Sequence, residues 1–245
     1  MSGHSKWSTI KRQKGVNDAK RGQIFTKLSM AVTLAVREGG NVADPASNFK
    51  LRLAVDAARA ANMPKENIDR AIARASGKGE ATLEEAVYEG FGPGGVSLII
   101  ETATDNKQRT VSEVKSTLDK NGGSLGVQGA VAYQFEQKGM IVTPKPSNMD
   151  ELFMQIVEAG AEDLEESGEE VVMYTKPEDL NAVREKLLAQ SLPIVSAEFT
   201  RKPITPITIE DREKAEKIIG LVDKLESLGD VQKVYANVDI PDELI

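Results

Sequence analysis

The chain has 245 residues, of which 40 % are hydrophobic and 4 % aromatic, and its formal net charge is −7. No apolar run reaches the roughly 18–20 residues of a membrane-spanning helix, and the N-terminus lacks the apolar stretch of a secretory signal. Because the chain has no cysteine, a protein of the reducing cytoplasm is expected. The absence of cysteine excludes disulfides, thiol nucleophiles and cysteine-based zinc sites, and His4, the sole histidine, excludes zinc sites with several histidine ligands.

The charges are separated along the chain. Residues 1–80 contain 15 Lys and Arg against 7 Asp and Glu, a net charge of +8. The remainder contains 16 basic and 31 acidic residues, a net charge of −15. A separation of this kind indicates that one end of the protein meets a polyanion while the other does not.

The basic half begins with a segment that is poor in apolar side chains. Residues 1–20 cannot bury enough surface to order themselves, so we predict an arm. From Lys20 to Glu38, apolar residues recur every three or four positions, which predicts an amphipathic helix. Gly39-Gly40 is expected to end that helix.

Two further helices are expected in this half. Asp44-Pro45 is expected to open the first, and the second follows Pro64 and stops at Gly77. Residues 1–80 are therefore predicted to form a basic arm and a small helical domain.

The pattern then changes to strands. Glu85–Glu89 and Val96–Thr102 are predicted to form a hairpin. A helix is expected to begin at Thr110, where Thr110 and Glu113 can form a capping box. Ala130–Phe135 is predicted to be another strand.

Residues 137–201 are predicted to have the order β-α-β-β-α-β, the ferredoxin-like unit. A last helix and strand cannot form a domain alone, so residues 202–245 are expected to complete residues 81–136. The predicted fold class is α+β: a helical N-terminal domain followed by two ferredoxin-like α/β domains. One of these is discontinuous (81–136 plus 202–245), and the other (137–201) is inserted into it.

Two sequence features that suggest ligand sites have simpler explanations. Gly90, Gly92 and Gly95 match the dinucleotide pattern G-x-G-x-x-G, but Pro93 interrupts it and a strand follows, so we predict a hairpin turn. The acidic runs over 162–170 are expected to be solvated, because adjacent carboxylates do not converge on a cation. No metal and no cofactor is predicted.

The basic residues near the N-terminus form the strongest candidate site. Each can neutralise a phosphate, and Trp7 can stack on an exposed base. The alternatives are that the charges are simply solvated and that Trp7 packs the arm against the helices. Asp18 is the only acid among the first 37 residues, which favours nucleic acid. The predicted nucleic-acid-binding residues of this half are Lys6, Trp7, Lys11, Arg12, Lys14, Lys20, Arg21, Lys27, Arg70 and Arg74.

Asn106 and Arg109 complete the candidate set. They lie where a predicted strand leads into a helix, and they could hold a phosphate beside the helix N-terminus. The alternative interpretation is a polar turn that caps the helix.

Several motifs carry a resemblance to a known family. They are Gly3-His4-Ser5-Lys6-Trp7, Ile10-Lys11, Lys20-Arg21, Phe25-Thr26-Lys27, Asn62-Met63-Pro64, Tyr88-Glu89-Gly90-Phe91-Gly92-Pro93, Thr104-Asp105-Asn106, Arg109-Thr110, Gly122-Gly123, Leu125-Gly126, Asp230-Val231-Gln232 and Val234-Tyr235. In these motifs, which span nearly the whole chain, the protein resembles the YebC/PmpR family of probable transcriptional regulatory proteins.

The resemblance implies a cytoplasmic, non-enzymatic protein with a helical N-terminal domain and two α/β domains. Some members of the family have been described as DNA-binding regulators. Others, including the mitochondrial translational activator of cytochrome c oxidase, act on translation at the ribosome. We therefore predict a DNA-binding transcriptional regulator, and the alternative is a ribosome-associated translation factor that binds ribosomal RNA. No membrane and no small-molecule substrate is expected.

Overall fold

A computed structural model describes residues 18–75, 83–241 and 244, with side chains from Arg21 onward. Its helices are α1 (Asp18–Glu38), α2 (Phe49–Ala60), α3 (Lys65–Ala75), α4 (Lys107–Lys120), α5 (Met149–Ala159), α6 (Leu180–Ala189) and α7 (Arg212–Glu226). Its strands are β1 (Glu84–Phe91), β2 (Ser97–Thr104), β3 (Ser124–Leu125), β4 (Phe135–Pro144), β5 (Asp163–Ser167), β6 (Glu170–Thr175), β7 (Ser196–Pro203), β8 (Ile207–Thr208), β9 (Val231–Ala236) and β10 (Val238–Asp239).

Helices and antiparallel sheets confirm the α+β class, with a helical N-terminal region followed by sheet-containing domains. The described residues form two units. The first unit contains α1–α3, α4, α7 and a sheet in the order β3-β1-β2-β9. The second unit, Gln134–Thr208 with Asn237–Asp239, contains α5, α6 and a sheet in the order β5-β6-β4-β7. The predicted domain boundaries at 81–136 plus 202–245 and at 137–201 stay a proposal.

The helical region of the first unit is held by a small aliphatic core. Its most enclosed side chains include Val32 and Val36 of α1 with Leu51 and Ala58 of α2, all of which are fully buried. Ile68, Ala71 and Ala75 of α3 belong to the same cluster. Because alanine adds little width, the helix axes can approach closely, and the exposed faces are left to polar residues.

The second helix begins later than the sequence pattern predicts. Asp44 does not cap it, because its carboxylate accepts hydrogen bonds from Ala46 N (3.0 Å) and Ser47 Oγ (3.0 Å) in its own turn. Asn48 is the N-cap instead, and its Oδ1 accepts a hydrogen bond from Leu51 N at 3.0 Å. Its Nδ2 also donates to the carbonyl of Ala35 at 2.9 Å, which ties α2 to α1.

The glycine-rich run is a turn within a hairpin, as predicted. β1 pairs with β2 from Glu84 opposite Thr104 to Phe91 opposite Ser97. Gly94 and Gly95 in the connection have φ angles of 76° and 79°, a conformation that glycine adopts without steric cost. No helix follows this turn directly, so it lacks the strand-to-helix geometry of a dinucleotide loop.

Two other predictions for this region are wrong. α4 begins at Lys107 rather than Thr110, because Asn106 is its N-cap. Ala130–Phe135 is not a strand: a 3₁₀ turn covers Ala132–Gln134, and β4 begins only at Phe135. The backbone N–H groups of this segment are partly used by a side chain, the carboxylate of Glu89.

The second unit has the predicted β-α-β-β-α-β order. Every neighbouring pair in its four-stranded sheet is antiparallel. Its fully buried side chains include Ile141 and Met173 of the sheet and Leu152, Ile156 and Leu187 of the two helices. None of the helices in the described ranges is both long and apolar enough to cross a membrane.

Candidate nucleic-acid interface

Much of the predicted basic set lies outside the described residues. This applies to Lys6, Trp7, Lys11, Arg12 and Lys14, and to the side chain of Lys20. Their assignment to nucleic-acid binding stays a prediction.

The first unit contains an open pocket of about 600 Å³ between α1 and α3. Asn67, Arg70, Ala71 and Arg74 of α3 line it, together with Leu83 and Asp105. The α1 side chains that line it are Phe25, Thr26, Ser29, Met30, Thr33 and Arg37.

Helical periodicity explains why these side chains face the same space. The α3 residues are spaced i, i+3, i+4 and i+7, which places them on one face of a helix. The two helices are joined at the pocket by Thr33, whose Oγ1 lies 3.1 Å from the carbonyl of Ala71 and 2.9 Å from the carbonyl of Ser29. Thr33 is 4 % exposed, so this contact holds the pocket walls in register.

The charges on the pocket wall are mainly positive. Three guanidinium groups, those of Arg37, Arg70 and Arg74, face one carboxylate, that of Asp105. Arg37 is half-buried and its Nη1 donates to the carbonyl of Leu83 at 3.0 Å, which fixes its position. Arg70 and Arg74 are exposed, and within the described ranges Arg70 has no ion-pair partner. The pocket can therefore attract an anion.

The structure brings together only part of the predicted set. Arg70 and Arg74 meet at the pocket, joined by Arg37, which was not among the predicted site residues. Arg21 is exposed on α1. Lys27 does not line the pocket, because its Nζ donates to the backbone carbonyl of Glu226 at the end of α7.

The remaining candidates, Asn106 and Arg109, contact groups of the protein itself. Asn106 Oδ1 accepts a hydrogen bond from Arg109 N at 3.1 Å, which caps α4. Arg109 Nη2 lies 2.9 Å from Asp105 Oδ1 and 2.7 Å from Asp230 Oδ2. The polar-turn interpretation accounts for both side chains, and phosphate binding by Asn106 and Arg109 stays a prediction.

A pair of carboxyl groups joins the end of α1 to β1. Desolvation, a hydrogen bond to the Glu38 carboxyl, and repulsion from Glu38 and Glu101 together raise the pKa of Glu85 to about 7. Desolvation by burial raises the pKa of Glu38. The hydrogen bond from Glu85 and the ammonium of Lys50, 2.9 Å away, outweigh this effect, so the pKa of Glu38 is lowered. The Glu85 side chain as a whole stays exposed, so we attribute more weight to the neighbouring carboxylate than to burial.

This pair predicts a decline in stability as the pH rises. Glu85 binds its proton more tightly in the folded than in the unfolded protein, where its pKa is near the ordinary value of 4.5. The stabilisation from this proton is complete below that value and is lost as the pH rises through about 7.

In Glu85→Gln, the loss of thermal stability between pH 5 and pH 8 is expected to be smaller than in the wild type, as measured by circular dichroism melts. Glu84→Gln is the control, because Lys107 lowers the pKa of Glu84. An equal pH dependence in wild type and Glu85→Gln would contradict the claim that a proton on Glu85 stabilises its pair with Glu38.

No group of three or more His, Cys, Asp or Glu side chains in the described ranges is placed to hold a metal ion. The chemistry available at the pocket is therefore that of guanidinium, amide, hydroxyl and apolar groups, with one carboxylate.

Comparison with known proteins places the whole chain in one family. The family profile described as "TACO1/YebC protein N-terminal domain" matches residues 5–78. The profile described as "TACO1/YebC second and third domain" matches residues 83–238.

Relatives match this chain over nearly their full length. A "Probable transcriptional regulatory protein" of Chloroflexus aurantiacus is 51 % identical over 249 residues, which cover 100 % of this chain and 98 % of the relative. A protein of the same name from Acidithiobacillus ferrooxidans is 51 % identical over 244 residues, 99 % of this chain and 96 % of the relative. The crystal structure of a conserved hypothetical protein from Aquifex aeolicus has a TM-score of 0.85 and 44 % identity, and the match covers 93 % of this chain and 94 % of that one. The names of the relatives indicate a regulatory protein, and the chain belongs to the TACO1/YebC family.

Proposed function

We propose that this protein is a non-enzymatic, cytoplasmic regulator of transcription that binds DNA through its helical region. The observation that carries the proposal is the open pocket between α1 and α3, where Arg37, Arg70 and Arg74 face a single carboxylate. Guanidinium groups bind phosphate oxygens with charge-assisted hydrogen bonds. The names of the relatives supply the regulatory role.

The distribution of charge supports binding at this end of the protein. Residues 18–75 contain 10 basic and 6 acidic residues, whereas Gln134–Thr208 contains 7 basic and 14 acidic residues. A phosphodiester backbone is attracted to the first segment and repelled by the second. The predicted arm residues precede α1 directly in the sequence, so we propose that they bind the same polyanion.

Charge reversal on α3 tests the proposal. In Arg70→Glu/Arg74→Glu, the dissociation constant for a labelled DNA duplex is expected to rise about a hundredfold, because two phosphate contacts are lost and two repulsions are added. Fluorescence anisotropy at fixed salt measures the change. Arg212→Glu/Lys217→Glu on α7 is the control, since it changes the net charge equally at exposed positions outside the pocket.

The same α3 variant, tested for co-sedimentation with ribosomes, separates DNA binding from binding to ribosomal RNA. If the wild type co-sediments with ribosomes, if the α3 reversal abolishes this, and if DNA duplexes bind weakly, then the regulator acts in translation and the DNA proposal is wrong. If the reversal leaves binding to both unchanged, the pocket is not the interface.

A further inference from the structure

We infer that the pocket between α1 and α3 receives one unpaired nucleotide of the bound nucleic acid, with its phosphate on the arginines and its base inside. The inference rests on the proposed function and adds to it: the protein would distinguish a strand with an unpaired nucleotide from a continuous duplex.

The size of the pocket is the first argument. Contacts to a duplex backbone need only an exposed convex or flat basic surface. A volume of about 600 Å³ lies within the range of roughly 300–1,000 Å³ that is typical of small-molecule sites. This volume is larger than a single phosphate requires, so the cavity can take a ring system as well.

The second argument is the division of the lining into two kinds of surface. Phe25, Met30, Ala71 and Leu83 provide an apolar part, and the three arginines provide a cationic part. Phe25 is half-buried and packs against the helical core, so its ring is held in place. Aromatic and thioether side chains bind the faces of bases of any sequence.

Asp105 provides the third argument. A carboxylate weakens a site that binds only phosphate, because both groups are negative. In a nucleotide site it is useful, since carboxylates accept hydrogen bonds from the amino groups of bases. Its contact with Arg109 involves Oδ1, and a carboxylate has further lone pairs available. Asn67 on the α3 wall can both donate to and accept from a base edge.

A base within a duplex cannot enter this pocket unless its pair is broken. An unpaired base enters at little cost, because no pairing is lost. The protein is therefore expected to prefer a strand in which one nucleotide is already unpaired.

The test compares two labelled duplexes that differ by one bulged 2-aminopurine, each made as DNA and as RNA. The wild type is expected to bind the bulged form about tenfold more tightly than the plain form, within the range of base–aromatic stacking. The fluorescence of the 2-aminopurine is expected to fall on binding as the base enters the pocket.

Two variants fill the pocket without changing its charge. Ser29→Trp and, at a more exposed position, Thr26→Trp are expected to lower the ratio of bulged-duplex to plain-duplex affinity from about ten to about one. Circular dichroism melts establish that each variant is folded. If neither folds, the fluorescence change in the wild type still decides the matter.

The outcomes separate the two proposals. Arginine-dependent binding of the plain duplex, without a preference for the bulge and without quenching, overturns the nucleotide pocket and leaves the proposed function intact. Failure to bind any of the four nucleic acids overturns the proposed function.

Discussion

Replacing Asp230 by alanine is expected to lower the free energy of unfolding by about 3 kcal/mol. Asp230 is 8 % exposed. Its Oδ2 accepts hydrogen bonds from Thr110 Oγ1 (2.6 Å), Arg109 Nη2 (2.7 Å) and Thr104 Oγ1 (3.1 Å). These contacts join the end of β2 and the first turn of α4 to the turn before β9. Alanine would remove the acceptor that two buried hydroxyl groups and a guanidinium group share, although Arg109 would keep Asp105 at 2.9 Å.

Urea denaturation followed by circular dichroism measures the effect. Asp105→Ala is the matched control, because it removes the exposed carboxylate partner of the same arginine and is expected to have a much smaller effect. Desolvation by burial raises the pKa of Asp230, but hydrogen bonds from Thr110, Arg109 and Thr104 outweigh it, so the pKa is lowered. Its contribution is therefore present above the ordinary value of 3.8 and is lost as the pH falls through the folded-state pKa. Equal stability of the two variants at neutral pH would contradict this account.

Replacing Glu89 by alanine is also expected to cost about 3 kcal/mol. The side chain is 7 % exposed. Its Oε1 accepts from Gly129 N at 2.7 Å, and its Oε2 accepts from Val131 N at 2.6 Å and Ala132 N at 2.9 Å. These hydrogen bonds hold the segment before β4 against β1, and alanine would leave buried backbone donors unsatisfied.

Glu89→Gln separates charge from shape. Its amide oxygen can replace only one acceptor, and its NH₂ group would face backbone donors, so it is expected to be destabilised as well. Glu84→Ala, at an exposed position of the same strand, is the control. The measurement is again urea denaturation. A Glu89→Gln variant as stable as the wild type would contradict the requirement for a carboxylate.

The sequence predicts the amphipathic helices well, because their signals are local. α5, the first helix of the predicted β-α-β-β-α-β order, is observed at Met149–Ala159, where Asn148 caps the start and Gly160 ends the helix with a φ of 98°. The end of α1 at Glu38 also agrees with the prediction from Gly39-Gly40.

The wrong predictions concern polar residues with several possible partners. Asp44 and Asn48 are both good caps by type, and their roles depend on which one reaches the carbonyls of α1. The sequence pattern predicts that Thr110 caps a helix, but its hydroxyl donates to the carboxylate of Asp230, 120 positions away. The segment from Ala130 has strand-like residues, but its backbone is bound by Glu89. Local patterns do not contain such long-range contacts.

The same limit applies to the candidate site. Charge and helical spacing identified Arg70 and Arg74, which line the pocket. Arg37 was missed, although it shares the α1 face of Thr26, Ser29 and Thr33 at helical spacing, and a search for cations on that face would have found it. No local signal shows that Lys27 binds a carbonyl of α7.

The salt dependence of duplex binding by the neutral variant Arg70→Gln/Arg74→Gln tests the central claim most directly. Each phosphate contact contributes about 0.9 to the slope of log K against log salt concentration, so the slope is expected to be shallower by about 1.8. Arg212→Gln/Lys217→Gln is expected to retain the wild-type slope. A wild-type slope and affinity in the α3 variant would show that the helical region does not hold the phosphate backbone.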